Sequence, residues 1–141
     1  MSRGNLMTRF ALPSDLDFVS QDQFLLPEIV RRKIDLREVV VAEFNDGPAG
    51  YLRIEYLWSK IPYIALIHVV PEAQRRGIGK ALLTFVEEFL RAEGQTALYS
   101  SSQANEAEPQ AWHRHAGFEE CGIIAGINEG GIGEVFFRKE L

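Results

Sequence analysis

The sequence predicts an α+β fold in which a mixed, mostly antiparallel sheet is built around one parallel strand-helix-strand unit. Residues 63–70 form an apolar, partly β-branched run, which is typical of a buried central strand. Apolar residues between Ile78 and Leu90 recur at alternating spacings of three and one, so they form one face of a helix. Segments with glycine turns between them precede and follow this unit, which predicts antiparallel hairpins at both ends of the chain.

The remaining elements follow from local patterns along the chain. Pro13-Ser14-Asp15 predicts a turn and an N-cap, and Asn45-Asp46-Gly47-Pro48 predicts a hairpin turn. Proline lacks an N–H, so Pro71 ends the central strand. The other predicted strands are 6–12, 38–44, 49–58, 96–101, 119–127 and 132–139, and the other predicted helices are 15–24, 28–33 and 106–115. The strand at 96–101 should lie parallel to the central strand, because a helix connects the two.

The glycine-rich turn, Gln74-Arg75-Arg76-Gly77-Ile78-Gly79-Lys80, lies between the central strand and its helix. Glycines let the backbone approach a ligand, and the first turn of a helix presents unpaired N–H groups, so this arrangement is typical of a phosphate site. Arg75, Arg76 and Lys80 add the positive charge that a pyrophosphate requires. The structural alternative is a basic helix start whose glycines serve only to turn the chain.

Two common phosphate-binding loops are excluded by this sequence. A Walker loop needs a hydroxyl residue after its lysine, and Lys80 is followed by Ala81. A dinucleotide-binding fingerprint needs a third glycine at the position that Leu82 occupies.

The pattern Gln74-x-x-Gly77-x-Gly79, placed after a strand that ends in Val-x-Pro, resembles the acyl-CoA-binding motif of the GNAT superfamily of N-acetyltransferases. The resemblance is specific over residues 63–118 and implies one GNAT-like domain over residues 1–141. It implies acetyl-CoA as cosubstrate, no metal, and direct transfer of acetyl to a primary amine in a ternary complex. It also implies that Ile67, His68 and Val69 pair with the pantetheine arm, with the N–H of Val69 polarising the thioester carbonyl.

A second part of the family pattern is similar to Asn105 followed by Ala111-Trp112-His113-Arg114-His115-Ala116-Gly117-Phe118. The resemblance implies that Asn105 pairs with the pantetheine amide. His113 stands where relatives carry the tyrosine that protonates the departing thiolate. A histidine with a pKa near 6.5 could donate that proton when charged, so His113 is a candidate general acid. The alternative is a helix histidine that only packs or contacts the cofactor.

The acceptor amine must lose a proton before it attacks, because an amine with a pKa near 10 is mostly protonated at neutral pH. Glu55 and His68 are the candidate bases. Ala65 and Ser100 occupy the positions where relatives often carry a catalytic carboxylate, so a water chain is a further route. An exposed strand residue is the structural alternative for Glu55, and a buried, hydrogen-bonded histidine is the alternative for His68.

Composition limits the classes of function. The net charge of −5 argues against general nucleic-acid binding and is compatible with a cationic acceptor. The single cysteine, Cys121, excludes an internal disulfide framework and fits a reducing compartment. The N-terminus has no apolar signal core and no stretch reaches membrane-spanning length, so we expect a cytoplasmic protein with no membrane partner.

The sequence leaves the acceptor and the oligomeric state open. A small-molecule amine and a peptide amine are both compatible with segments 15–33 and 128–133, where similar folds choose their substrates. Dimers joined through terminal strands are common in similar folds, so a homodimer is one expected state. Two other hypotheses are an acyl-CoA-binding regulatory module without turnover and, ranked last, generic nucleotide-phosphate binding by the same turn.

Overall fold

The computed structural model describes residues 4–141; Met1, Ser2 and Arg3, which begin the N-terminal stretch without a signal core, lie outside the described residues. The strands are β1 (Leu6–Phe10), β2 (Val39–Phe44), β3 (Gly47–Leu57), β4 (Ile61–Val69), β5 (Ala97–Gln103), β6 (Glu119–Ile124) and β7 (Glu134–Glu140). The helices are α1 (Leu16–Val19), α2 (Pro27–Asp35), α3 (Ile78–Ala92) and α4 (Ala107–His115). The strands form one sheet in the order β1-β2-β3-β4-β5-β7-β6, with antiparallel pairs and a parallel pair, which confirms the predicted fold class.

The chain divides into two compact units whose sequences interleave. The first unit contains the residues up to Ile54 together with Leu66–Glu88, and the second contains Glu55–Ala65 together with Phe89–Leu141. The single domain over residues 1–141 stays a prediction. Within residues 4–141, no helix combines the length and the apolar character that crossing a bilayer requires.

The first unit contains the antiparallel pairs of β1 with β2 and of β2 with β3. Asn45 and Asp46 join β2 to β3 with φ angles of 53° and 67°, the left-handed conformation that a type I′ hairpin turn needs, so the predicted turn is confirmed. In its core, side chains of the sheet pack against side chains of the short helices. The sheet contributes Val39, Val41 and Tyr51, and the helices contribute Val19, Val30 and Ile34.

The helix predicted over residues 15–24 is wrong in its length. A 3-10 turn at Pro13–Asp15 leads into α1, which ends at Val19. The backbone leaves the helical conformation at Ser20, with φ −110° and ψ 3°. Further along, Gln23 has a φ of 64° and the carboxylate of Asp22 accepts a hydrogen bond from the backbone N–H of Phe24, so these residues are not helical either. The segment between α1 and α2 is therefore a loop.

The second unit contains the parallel pairing of β4 with β5, where Tyr63 lies opposite Tyr99, as predicted. The last strand, β7, pairs antiparallel with β5 along its whole length and with β6 on its other side. The closing hairpin was predicted, but its second strand lies between β5 and β6. This order brings the start of β7, at Glu134, opposite Gln103 at the end of β5.

Candidate active site

The glycine-rich turn has the geometry of an anion site at the start of a long helix. After β4 ends, a 3-10 turn at Pro71–Ala73 leads into the turn, where Arg75 and Gly77 have φ angles of 65° and 80°. Ile78 is 1% exposed and anchors α3 in the core. The first helical hydrogen bond runs from the N–H of Ala81 to the carbonyl of Gly77, at 3.0 Å. The N–H groups of residues 78–80 precede that bond and are the ones a helix leaves for capping groups or ligands.

The charges around the glycine-rich turn favour an anion. Gln74, Arg75, Arg76 and Lys80 are all exposed. The first turn of α3, all of which is described, contains no acidic residue to compete for the N–H groups. The positive end of the helix dipole adds to these cations, so a phosphate or pyrophosphate would be bound by backbone and side chains together.

Two glycines near the turn have different surroundings. A Cβ on Gly50, in β3, would lie 2.8 Å from the carbonyl oxygen of His68 and 3.0 Å from Cγ2 of Ile78, so only glycine lets these backbones come this close. A Cβ on Gly79 would meet no heavy atom of the described chain within 4 Å. Gly50 therefore has a packing role, whereas the space beside Gly79 is free for a ligand.

His68 lies on β4, in the same unit as the glycine-rich turn. Its ring centroid is 5.2 Å from that of Tyr51. Its Nε2 atom is buried and has no hydrogen-bond partner among the described residues. The alternative of a fully hydrogen-bonded buried histidine therefore does not fit, and the role of His68 as base or cofactor contact stays a prediction.

A buried ion pair between Asp22 and Arg53 holds the loop between α1 and α2, and the sequence analysis missed it. Arg53 is 2% exposed, and its two terminal nitrogens each donate to one oxygen of Asp22 at 2.7 Å. The hydroxyl of Tyr51 donates to Asp22 at 2.6 Å. Burial raises the pKa of Asp22, but the hydrogen bonds from Arg53 and Tyr51 outweigh it and hold that pKa well below its usual range.

His113, the candidate general acid, lies in the interior of the second unit, 4% exposed and stacked on Phe137 with ring centroids 4.5 Å apart. Its Nδ1 lies 2.7 Å from the carbonyl oxygen of Pro109, and its Nε2 lies 2.7 Å from Oγ of Ser100. A carbonyl can only accept, so Nδ1 carries the proton and Nε2 of the neutral ring accepts from Ser100. Burial lowers the pKa of His113 more than the Pro109 bond raises it.

In the neutral ring, both nitrogens of His113 are engaged in hydrogen bonds within the second unit. Nδ1–H is held by a backbone carbonyl within its own helix, and Nε2 is occupied as an acceptor. The geometry favours the alternative of a packing histidine. The catalytic role of His113 stays a prediction that substitution can test.

The other predicted residues of the second unit are more accessible. Asn105 is exposed in the turn that follows β5. Glu55 is half-buried in β3, and its charge contributes to raising the pKa of Tyr63, an effect that is mainly due to burial of the phenol. Glu55 therefore lies within electrostatic range of Tyr63.

A polar chain that the sequence analysis did not identify joins three strands of this unit. The hydroxyl of Tyr63 on β4 lies 2.6 Å from Oγ of Ser101 on β5, and Ser101 donates to Oε2 of Glu134 on β7 at 2.5 Å. The side-chain amide of Asn128 donates to Oε1 of Glu134 at 2.8 Å. No spacing in the sequence marks these residues, because the insertion of β7 beside β5 brings them together.

The structure thus groups the predicted residues by unit. Ile67, His68 and Val69 lie on the last half of β4 in the same unit as the glycine-rich turn, whereas Glu55, Asn105 and His113 lie in the other unit. Within residues 4–141, no cluster of three or more histidine, cysteine, aspartate or glutamate side chains is arranged to hold a metal ion.

Comparison with known proteins gives a family and one curated relative. The profile described as the acetyltransferase (GNAT) family matches residues 9–118. Over 88 residues the chain is 36% identical to an aminoglycoside N(6')-acetyltransferase type 1 from Stenotrophomonas maltophilia, a match that covers 62% of this chain and 50% of that protein. The chain thus spans about half the length of this curated relative.

Solved structures share the fold across almost the entire chain. Ard1 from Thermoplasma volcanium superposes with a TM-score of 0.84 at 14% identity, covering 99% of both chains. The protein yncA from Salmonella typhimurium, solved with its cofactor acetyl-CoA, superposes with a TM-score of 0.80 at 17% identity, covering 96% of this chain and 94% of that one.

Proposed function

Because the chain belongs to the acetyltransferase (GNAT) family, we propose that it transfers acetyl from acetyl-CoA to a primary amine, by direct transfer in a ternary complex. The observation that carries the proposal is the glycine-rich turn. Left-handed φ angles at Arg75 and Gly77 shape its backbone, and exposed cations flank the first turn of α3, whose N–H groups have no partner within a helix. A pyrophosphate is the anion that this combination suits, and acetyl-CoA carries one.

The proposal gives each predicted cofactor residue a role. Gln74, Arg75, Arg76, Gly77, Ile78, Gly79 and Lys80 would hold the pyrophosphate through backbone N–H groups and positive charge. Ile67, His68 and Val69 would pair with the pantetheine arm along β4, and the N–H of Val69 would stabilise the oxyanion that forms on the thioester carbonyl. Asn105 keeps the amide-pairing role that the family pattern implies. The thiol of CoA is the leaving group, and no covalent acyl-enzyme is formed.

We propose a small cationic amine as the acceptor. The curated relative is an aminoglycoside acetyltransferase, and the net charge of −5 favours a cation over an anion. A peptide N-terminus is the competing acceptor and is one arm of the test. The compartment that we propose is the cytoplasm, where acetyl-CoA is available.

The first test is thermal unfolding with and without excess acetyl-CoA, with ATP and NAD as controls. A ligand at about one hundred times its Kd stabilises the folded chain by roughly 2.7 kcal/mol. Acetyl-CoA alone should raise Tm, and Arg76→Ala should reduce the shift. Arg31→Ala, at an exposed basic position on α2, is the matched control and should leave the shift unchanged. Equal shifts with ATP or NAD would instead support generic phosphate binding.

The second test is release of free CoA thiol with an aminoglycoside that carries a 6′-amino group and with a peptide that begins with alanine. Turnover with the aminoglycoside supports the proposed acceptor class. Binding of acetyl-CoA without turnover on either acceptor would favour the regulatory module, for which the closed hydrogen bonding of His113 is the supporting observation. His113→Phe at an unchanged rate would remove this residue as the general acid.

The homodimer also stays a prediction. Every residue of β6 is exposed, and β6 is a terminal strand of the sheet, with Ile123 61% and Ile124 45% exposed. An exposed edge of this kind can pair with a second copy. Light scattering after size exclusion measures the mass directly, and a monomer at all concentrations would contradict the prediction.

A further inference from the structure

Resting on the proposed function, we infer that Tyr63, Ser101 and Glu134 form a proton relay, in which Tyr63 receives a proton from the acceptor's ammonium group and Glu134 is the terminal base. The three side chains come from three different strands and form one continuous hydrogen-bonded chain. The relay would give the reaction a carboxylate base, although Ala65 and Ser100 occupy the positions where relatives often carry one.

The direction of the hydrogen bonds follows from the number of protons available. Ser101 has one hydroxyl proton, and the Glu134 carboxylate can only accept, so that proton lies between Ser101 and Glu134. The bond between Tyr63 and Ser101 must then use the proton of Tyr63. The Tyr63 oxygen is left as an acceptor, which is the group that an incoming N–H needs.

The surroundings hold this chain in place and favour a cation beside the Tyr63 oxygen. Asn128 donates to the second oxygen of Glu134, and Phe136 stacks on the Tyr63 ring with centroids 5.8 Å apart. Burial raises the pKa of Tyr63, and the charges of Glu134 and Glu55 raise it further although the bond with Ser101 lowers it. Tyr63 is therefore a neutral phenol at neutral pH, and two carboxylates near its ring favour an ammonium group.

The proton transfers balance in the following way. One ammonium proton passes to the Tyr63 oxygen while the Tyr63 proton passes to Ser101 and the Ser101 proton to Glu134. The neutral amine then forms the N–C bond to the acetyl carbonyl carbon, and the electron pair of the C–S bond leaves with the CoA sulfur. A second nitrogen proton ends on the thiolate, giving the amide and free thiol. Glu134, which is half-buried, returns its proton to solvent.

A purely structural role for the same bonds makes a different prediction. Bonds that only join the strands would lower stability when removed but would leave kcat unchanged in the folded fraction. A relay requires a hydroxyl at residue 101 and a carboxylate at residue 134, whichever side chain supplies them. Conservative substitutions therefore separate the two roles.

The experiment measures steady-state thiol release with acetyl-CoA and the 6′-amino aminoglycoside, beside Tm for each variant. Glu134→Gln, Tyr63→Phe and Ser101→Ala should each lower kcat about a hundredfold or more, the usual contribution of general acid–base catalysis, with a smaller change in KM for acetyl-CoA. Ser101→Thr should restore most of the rate. Glu140→Gln on β7 and Tyr99→Phe on β5 remove the same groups outside the relay and should stay within a few-fold of the unmodified chain.

The outcomes separate this inference from the proposed function. If the unmodified protein acetylates the acceptor and Glu134→Gln and Tyr63→Phe are equally active, the relay is overturned and the acetyltransferase proposal is intact. Loss of rate in Ser101→Ala that Ser101→Thr does not restore also overturns it. An unmodified chain without turnover on either acceptor overturns the proposed function and the relay with it.

Discussion

Replacing Arg53 with Met should destabilise the protein strongly, because it leaves a buried carboxylate without its cation. The Asp22 side chain is 6% exposed and the Arg53 side chain 3% exposed. Arg53 donates twice to Asp22 and once to the carbonyl of Val19, at 3.2 Å. Methionine keeps an unbranched, mainly apolar stem and lacks the guanidinium, so the change removes the charge together with its hydrogen bonds to Asp22 and Val19.

The magnitude follows from this burial. Removing one partner of a buried ion pair costs about 3–5 kcal/mol, compared with at most about 1 kcal/mol for an exposed pair. With roughly 2.1 cal/mol/K per residue, a chain of 141 residues has an unfolding entropy of roughly 0.3 kcal/mol/K. Arg53→Met should therefore lower Tm by about 10–17 °C.

The assay is thermal and urea unfolding of a double-mutant cycle with Asp22→Asn. Asp22→Asn alone leaves Arg53 buried without its counter-charge, whereas the double variant removes both charges and should lose less than the sum of the two single changes. Arg114→Met is the matched control. Arg114 and its partner Glu120 are 54% and 57% exposed at 3.4 Å, so the expected loss is at most about 1 kcal/mol.

A loss below about 1 kcal/mol in Arg53→Met, with additive effects in the cycle, would refute this reasoning. Such a result would mean that solvent reaches Asp22 once Arg53 is removed. The loop between α1 and α2 would then be held by its backbone and apolar contacts, and the ion pair would have no measurable part in placing it.

Three further predictions rest on single contacts. Gly50→Ala should cost about 1–3 kcal/mol, since its Cβ would meet the carbonyl oxygen of His68, whereas Gly47→Ala, with no described heavy atom within 4 Å, should be close to neutral by urea unfolding. Gly79→Ala should raise the Tm of the free protein, because alanine favours a helix by up to about 1 kcal/mol, yet reduce the Tm shift caused by acetyl-CoA. Burial lowers the pKa of His113 when the chain folds, so below about pH 6.5 the unfolded chain binds more protons than the folded one. Tm should therefore fall from pH 7 toward pH 5, and this fall should be smaller in His113→Gln.

The fold could be predicted from the sequence because its main signals are local. The alternation of apolar residues in α3, the turn at Asn45 and Asp46, and the stop at Pro71 each depend on neighbouring residues. The length of α1 could not be predicted in this way. The residues after it form a loop in which Asp22 binds Arg53, a partner 31 residues away in the sequence that no local pattern could indicate.

The site was predictable to the same extent. The glycine-rich turn is one continuous segment, so its charges and glycines could be identified together. Tyr63, Ser101 and Glu134 share no spacing, since 38 and 33 residues separate the bonded pairs. The sequence indicated only that neighbouring residues of β5, such as Ser100 and Ser101, point to opposite faces of the sheet.

The alternation of β5 places Ser100 and Ser101 on opposite faces of the sheet, and Ser100 is one residue that differs from the family pattern; another is His113. Ser100 stands where relatives often carry a carboxylate, and His113 stands where they carry a tyrosine, and the structure bonds these two residues to each other at 2.7 Å. The Ser100 hydroxyl and Nε2 of His113 are hydrogen-bonded to each other in a buried pair, which favours a packing role for both residues. Ser101, the next residue on β5, points to the opposite face, where Tyr63 supplies a phenol and Glu134 a carboxylate. We therefore expect that substitutions on the face of Ser101 change kcat, whereas substitutions of Ser100 and His113 change stability first.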